Sequence, residues 1–388
     1  MIGFDEALAL LAEAAKPLGA DTVPLFEAHG HTLAAPVVAM VDAPPRDVSA
    51  MDGYAVREAD LPGRLPVAGI AYPGDPLLRL EPGRCIRIFT GGPVPDGADR
   101  IVIQEEVTRE GDEAIFGAAG GGRHIRVRGA DFATGTVLLN AGRRLDPRAL
   151  VAAAGADLGE VEIWRKPNLA IFGTGDELAE PGRARDRPGA IPESLLLGVG
   201  ALAEEAGGMI VMSRRLKDNL PELEQMAGWA LERADLVVVT GGASVGEKDY
   251  AKAMFATTGL ELIFSKVAIK PGKPVWLGRA GGRLVMGLPG NPSSAMVTAR
   301  LLLAPLIAGL SGRAATLHWR KAALAAPLGP CDERETFVRG SWEGERVCPA
   351  SYQDSGAQKT LADADLLIRR RPGAPAAEAG ETVEIIDF

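Results

Sequence analysis

Three apolar runs that each stop at a glycine-rich loop constrain this chain more than any other feature. NLAIFGTG (168–175) and DLVVVTGG (235–242) are short apolar runs without polar alternation, and a third run enters GLPGNPSSA (287–295). Segments of helical pattern lie between them: SLLLGVGALAEEAGG (194–208) and LPELEQMAGWALERA (220–234). Strands that alternate with helices of this length predict a doubly wound, mostly parallel α/β sheet. Helices then cover both faces of the sheet, so a strand such as LVVV needs no polar side.

The flanks have a different grammar. Residues 4–15 read as an amphipathic helix, with Phe4, Ala7, Leu8 and Leu11 on one face and Pro17 and Gly19 as its stop. From about 46 to 139 the chain is short β runs between Gly and Pro turns, such as RCIRIFT (84–90) and ADRIVIQEEV (98–107). LDPRALVAAAGA (145–156) reads as a helix with Pro147 near its start. After Gly312 short β runs return: ETFVRGSW, DLLIRRR and ETVEIIDF. The expected layout is a helical and linker part (1–45 with 140–166), a β-rich domain (46–139), the α/β domain (167–312) and a small C-terminal β domain (313–388).

Composition excludes several classes. Hydrophobic residues make up 47% and charged residues 24%, which excludes bulk disorder. Gly and Pro together reach about a fifth of the chain, against roughly 12% in average usage, without a G-X-Y period. The net charge is −9, which argues against an extended nucleic-acid surface. Cys85, Cys331 and Cys348 form no C-x-x-C pair, and His29, His31, His124 and His318 have no metal-ligand spacing. The N-terminus carries Asp5, Glu6 and Glu13, unlike a signal peptide, and no 18-residue apolar window is expected, so the reading is a cytoplasmic protein without a membrane span.

Ligands of parallel sheets bind beyond the carboxyl ends of the strands, so the loops 173–182, 240–250 and 287–295 predict one shared site. Asn291 is expected as N-cap and Pro292 at N1, leaving helix amides for an oxyanion. Asp176, Glu177 and Asp249 offer carboxylates for a hard cation, with solvated loop charges as the alternative. Lys270 and Lys273 flank a Pro-Gly turn and can clamp phosphate as point charges. In the β-rich part, Asp52, Thr90 and Asp131 sit in turns that no local pattern ties to the α/β site. GASVG (242–246) also fits the nucleophile elbow G-x-S-x-G at Ser244, but only His318 follows it, and no HGGG segment precedes it.

MDGYAV, FTGGPVPDGAD, GTGDEL, GGASVGEKDY, KPGKPVW and GLPGNPSSA occur in this order along nearly the whole chain. As a set they resemble the MoeA-type molybdopterin molybdenumtransferases, which share their fold with the gephyrin E domain. The resemblance implies a small C-terminal β-barrel domain and an elongated homodimer. It implies insertion of molybdate into adenylylated molybdopterin, with release of AMP and assistance from Mg²⁺. The cleft would lie between the α/β domain of one chain and the β-rich domain of the other.

Within that resemblance, Asp52, Asp131, Asp176, Glu177, Asp249, Lys270 and Lys273 match catalytic positions, with Glu177 and Asp249 as the metal pair. Thr90, Gly241, Gly242, Ser244, Gly246, Pro289, Gly290, Asn291, Ser293 and Ser355 match substrate-binding positions, which makes Ser244 part of a backbone-rich loop. Partners implied are a molybdopterin adenylyltransferase upstream and molybdoenzymes downstream. A non-catalytic scaffold on the same fold, or a hydrolase using Ser244, are the alternatives. The chain departs from the family where Pro192-Glu193-Ser194-Leu195 replaces the usual Asp-Ser-Asn, at Ala130 before Asp131, and over 351–365, where Gln353 and Ser355 remain.

Overall fold

The computed structural model describes residues 1–118, 120–241 and 250–388. Its centre is a six-stranded sheet of β1 (Asn168–Thr174), β2 (Met209–Leu216), β3 (Leu236–Thr240), β4 (Glu261–Phe264), β5 (Trp276–Ala280) and β6 (Arg283–Leu288). The spatial order is β2-β1-β3-β6-β5-β4. The first four strands of that order are parallel, whereas β5 and β4 each run antiparallel to their neighbour.

The unalternated runs are explained by two cores. Leu169, Ile171, Leu236 and Val238 face one side of the sheet, with Leu195, Val199 and Ala203 of helix α1 (Leu195–Glu205). Ala170, Phe172, Val237 and Val239 face the other, with Leu223, Ala227 and Ala230 of helix α2 (Leu220–Arg233). β1 and β3 therefore alternate between two buried faces, as in a doubly wound sheet.

The N-terminal helix Phe4–Ala14 packs into the first of these cores through Phe4, Ala7 and Leu11. Residues 20–24, 160–164 and 32–33 make a three-stranded sheet, and the helix Pro147–Gly155 packs in the same small core. Asp146 caps that helix by accepting from the Ala149 N–H at 2.8 Å. The β-rich domain holds a six-stranded sheet that includes Gly53–Val56, Cys85–Ile88 and Arg100–Ile103. At the C-terminal end five strands close into a barrel, because Glu335–Glu343 pairs with both Arg346–Pro349 and Leu366–Arg370. Ile269–Lys270 adds itself in parallel to the start of Glu335–Glu343 and so ties the α/β domain to the barrel.

One sequence expectation is corrected. Pro292–Leu310 is 19 residues long with a mean hydropathy of 1.6, enough in length and composition to cross a membrane. In the fold 78% of it is buried, and Val297, Leu301, Leu302 and Leu306 lie in the first core. It is hydrophobic nearly all round because protein surrounds it.

Candidate functional site

The register sets the site. Gly173 pairs with Thr240, and Thr240 pairs with Leu288, so β1, β3 and β6 end at one level. Described residues at these three strand ends line a cavity of about 620 Å³. Glu177 lines it from the first loop, Gly241 from the second, and Pro289, Gly290 and Asn291 from the third. Gln358, which follows the barrel's 353–357 turn, closes another side.

Glycine is required where these loops touch. Gly241 has φ +89°, and a Cβ there would stand 2.6 Å from the Thr174 carbonyl oxygen. A Cβ on Gly290 would stand 3.3 Å from the Gly241 Cα. At Gly175 a Cβ would meet both Glu177 carboxylate oxygens, at 2.7 and 2.8 Å, so the carboxylate folds back over that glycine.

Glu193 lies in the stretch that departs from the family pattern and was absent from the expected site residues. It is buried and lines the cavity. Its carboxylate accepts from the Leu195 N–H at 2.9 Å and the Leu196 N–H at 3.0 Å. Glu193 thus occupies the amides of the α1 N-terminus, where a negative charge is favourable. An acidic residue just before the apolar run SLLLG is the signal that finds it. Leu195 gives the cavity an apolar wall there.

The third loop differs in detail from its expected form. Asn291 takes the N-cap position of helix α3 (Pro292–Thr298), with Pro292 at N1, but its side chain makes no cap bond. Its Nδ2 instead donates to Ser355 Oγ at 2.9 Å. The Ser293 N–H donates to the Ser355 carbonyl at 3.0 Å, so one of the amides expected to be free is taken. Ser293 itself is fully buried, and its hydroxyl donates to the Ala357 carbonyl at 3.0 Å. Fully buried Arg339 holds this junction: its Nη1 donates to Ser293 Oγ at 2.5 Å and to the Asp354 carbonyl at 2.8 Å. Arg339 also lay outside the sequence expectations, although an arginine inside the largely apolar strand run Phe337-Val338-Arg339-Gly340 is a signal.

The remaining predicted residues lie around the cavity rather than in its wall. Asp176 is exposed and accepts from the Asp218 N–H at 3.2 Å. Lys273 is exposed and precedes Pro274, which lines the cavity. Lys270 lies 3.8 Å from Asp332. Gly242, Ser244, Gly246 and Asp249 lie outside the described residues.

Asp52, Thr90 and Asp131 belong to the β-rich part and do not line this cavity. Asp52 and Thr90 do meet: the Asp52 carboxylate accepts from the Thr90 N–H at 2.7 Å and its hydroxyl at 2.8 Å. The Asp131 N–H donates to the Ala43 carbonyl at 2.9 Å. Those Thr90 bonds, the N–H first, hold the Asp52 carboxyl below its ordinary pKa. The depressed group supports the turn fully above about pH 4, and that support fades as pH falls through the folded-state value. A carboxyl NMR titration is expected to show a low Asp52 inflection that Thr90→Ala raises only partly, because the N–H remains. An inflection at the ordinary value would contradict the bonded turn.

Among the described residues no cluster of three or more His, Cys, Asp or Glu is arranged to hold a metal. Carboxylates reach the cavity wall from Glu177 and from Glu193, the latter already accepting helix amides, and Asp176 lies next to Glu177 in sequence.

Comparison with known proteins gives the family. Residues 2–156 match the MoeA N-terminal region (domain I and II), residues 170–309 a probable molybdopterin binding domain, and residues 321–388 the MoeA C-terminal region (domain IV). A molybdopterin molybdenumtransferase of Haemophilus influenzae is 33% identical over 406 residues, covering 100% of this chain and 99% of the relative. One from a Nostoc species is 34% identical over 337 residues, covering 83% and 77%. The crystal structure of a molybdopterin biosynthesis MoeA protein from Pyrococcus horikoshii superposes with a TM-score of 0.85 at 26% identity and covers 100% of both chains. These relationships disfavour the scaffold and hydrolase alternatives. The chain belongs to the MoeA family of molybdopterin molybdenumtransferases.

Proposed function

We propose that this chain inserts molybdate into adenylylated molybdopterin, releasing AMP and yielding molybdenum cofactor. The observation that carries the reading is the cavity itself. Three parallel strands end at one level, and Glu177, Gly241, Gly290 and Asn291 line the space beyond their carboxyl ends. A cavity of about 620 Å³ is within the usual size for a nucleotide- or cofactor-sized ligand. Glycine backbone at Gly241 and Gly290 lets a substrate approach the main chain closely. The amides of the third loop and Lys273 supply local positive character in a chain of net charge −9.

Their work is positional. Loop amides hold the phosphate of the adenylate, and Lys270 and Lys273 neutralise its charge as it leaves. The rigid strand ends fix the dithiolene-bearing part against molybdate. Glu193 contributes a fixed negative charge beside that site and keeps the α1 amides occupied.

Mg²⁺ fits this donor set. It usually takes one or two carboxylates and completes its shell with water and substrate phosphate, so no larger protein cluster is needed. Glu177, with Asp176 and Asp249, would hold it. When bound it would offset charge on the phosphoanhydride.

A homodimer completes the reading. Asp52, Thr90 and Asp131 do not line their own chain's cavity. In the proposed arrangement those residues of a second copy face it.

The test is incubation with adenylylated molybdopterin, molybdate and Mg²⁺, with AMP measured by chromatography. AMP release that depends on molybdate is expected. No release at any molybdate concentration would sink the proposal.

A further inference from the structure

An aromatic step stands beside Asp52 and Thr90. Phe89 immediately precedes Thr90, and the Tyr72 ring lies on it with centroids 4.9 Å apart and planes 5° from parallel. Tyr72 is 50% exposed. Single exposed aromatic residues are ordinary and need no ligand. Three observations set this one apart.

The ring's backbone is pinned. The Tyr72 N–H donates to the Asp75 carboxylate at 2.7 Å, and the Asp75 N–H returns to the Tyr72 carbonyl at 3.1 Å. The step is also tied to the Thr90 turn. The Phe89 N–H donates to the Ala71 carbonyl at 3.2 Å, and Pro73 lies 3.6 Å from where a Gly91 Cβ would be. Finally, a cation belongs to the stack. The Arg87 guanidinium is 4.7 Å from the Phe89 centroid and 5.0 Å from that of Tyr54. Arg87 is itself fixed, donating to the Gly53 carbonyl at 2.8 Å and to Gln104 Oε1 at 2.5 Å.

A pre-oriented, half-exposed ring backed by a second ring and a guanidinium suits a planar π-system. We propose that Tyr72 is a stacking platform for a planar nitrogen heterocycle of the anionic substrate, with the Asp52–Thr90 turn at its edge. The proposal rests on the reaction proposed above and on the β-rich domain facing a second copy's cavity. Adenine and the pterin are two sources of the same chemistry.

The experiment uses full-length Tyr72→Ala, Tyr72→Leu and Tyr72→Phe. Steady-state AMP release is measured, together with calorimetric binding of AMP and of molybdopterin separately. Tyr72→Ala is expected to raise KM for adenylylated molybdopterin about tenfold with kcat within twofold, the size of one lost base-stacking contact. Tyr72→Leu should behave like alanine, since it keeps apolar bulk without a π-face. Tyr72→Phe should stay within twofold of wild type. Weakened binding of AMP alone identifies adenine as the stacked ring, and of molybdopterin alone the pterin. Wild-type binding and KM in both Tyr72→Ala and Tyr72→Leu would overturn the proposal, as would an equal loss in Tyr72→Phe. A wild type that binds neither ligand also overturns it. A wild type that binds them but releases no AMP defeats the proposed reaction, and the binding arms still decide the platform.

Discussion

Replacing Gly241 by alanine is expected to cut AMP release at least 100-fold and to lower folding stability by about 2–4 kcal/mol. Two costs combine. At φ +89° an L side chain is in the left-handed half of backbone space, a cost of about 1–2 kcal/mol. The new Cβ would also stand 2.6 Å from the Thr174 carbonyl and 3.2 Å from its hydroxyl, so β1 or β3 must shift at its end. Nothing cheap can give way, because the nearest contact is main chain inside a parallel sheet. The shift would carry into the third loop, since Gly290 already lies close against the Gly241 Cα. Gly241 and Gly290, both in the cavity wall, would move, and a displacement near 1 Å costs catalysis about 100-fold. Gly3→Ala is the control, because no atom lies within 4 Å of its Cβ position. Urea unfolding and AMP release are the measurements. A Gly241→Ala protein with wild-type midpoint and activity within threefold would refute the close-packed loop arrangement.

Much of that arrangement could be read from residue pattern. Unalternated runs such as Val237-Val238-Val239 have one economical meaning, a strand covered on both faces, and the two cores bear this out. Glycines after Thr174, Thr240 and Leu288 marked the strand ends because close backbone contact excludes side chains. Local grammar stopped there. Asn291 looked like a cap from its neighbours, yet its amide goes to Ser355, 64 positions away. Glu193 was noticed only as a departure, because its burial depends on where the α1 N-terminus points. The apolar stretch 292–310 was missed as a window because Ser293, Ser294 and Arg300 interrupt it, and its burial is a tertiary fact. Lys270 near Asp332 is likewise a contact between separate domains. Spacing can predict that loops converge, but not which side chain from another domain arrives between them.

Arg339 is such an arrival, and its replacement carries the second large expected effect. The side chain is fully buried. Burial pushes its pKa down from the ordinary arginine value, with the Asp354 charge opposing. Its hydrogen bonds go to neutral groups: Ser293 Oγ, the Asp354 carbonyl and, from Nε at 3.1 Å, Gln353 Oε1. Gln353 in turn donates to the Arg339 carbonyl at 2.9 Å and the Ala350 carbonyl at 2.8 Å. The guanidinium therefore staples the 353–357 turn to the start of α3, the two elements joined again by Asn291 and Ser355. Arg339→Met keeps most of the apolar stem but leaves three acceptors without this donor. The expected loss is about 2–4 kcal/mol, offset in part by relief of the buried charge. With the turn released, the Gln358 side of the cavity loosens, and KM should rise at least tenfold with a smaller change in kcat. Arg339→Lys should recover little, since one ammonium cannot reproduce a planar fork that meets separate acceptors. Limited proteolysis supplies a further readout, with new cleavage expected within 351–358 while the α/β domain stays intact. If Arg339→Met resists protease like wild type and keeps its KM, the barrel turn does not depend on this staple, and the Asn291–Ser355 contact alone must hold the wall.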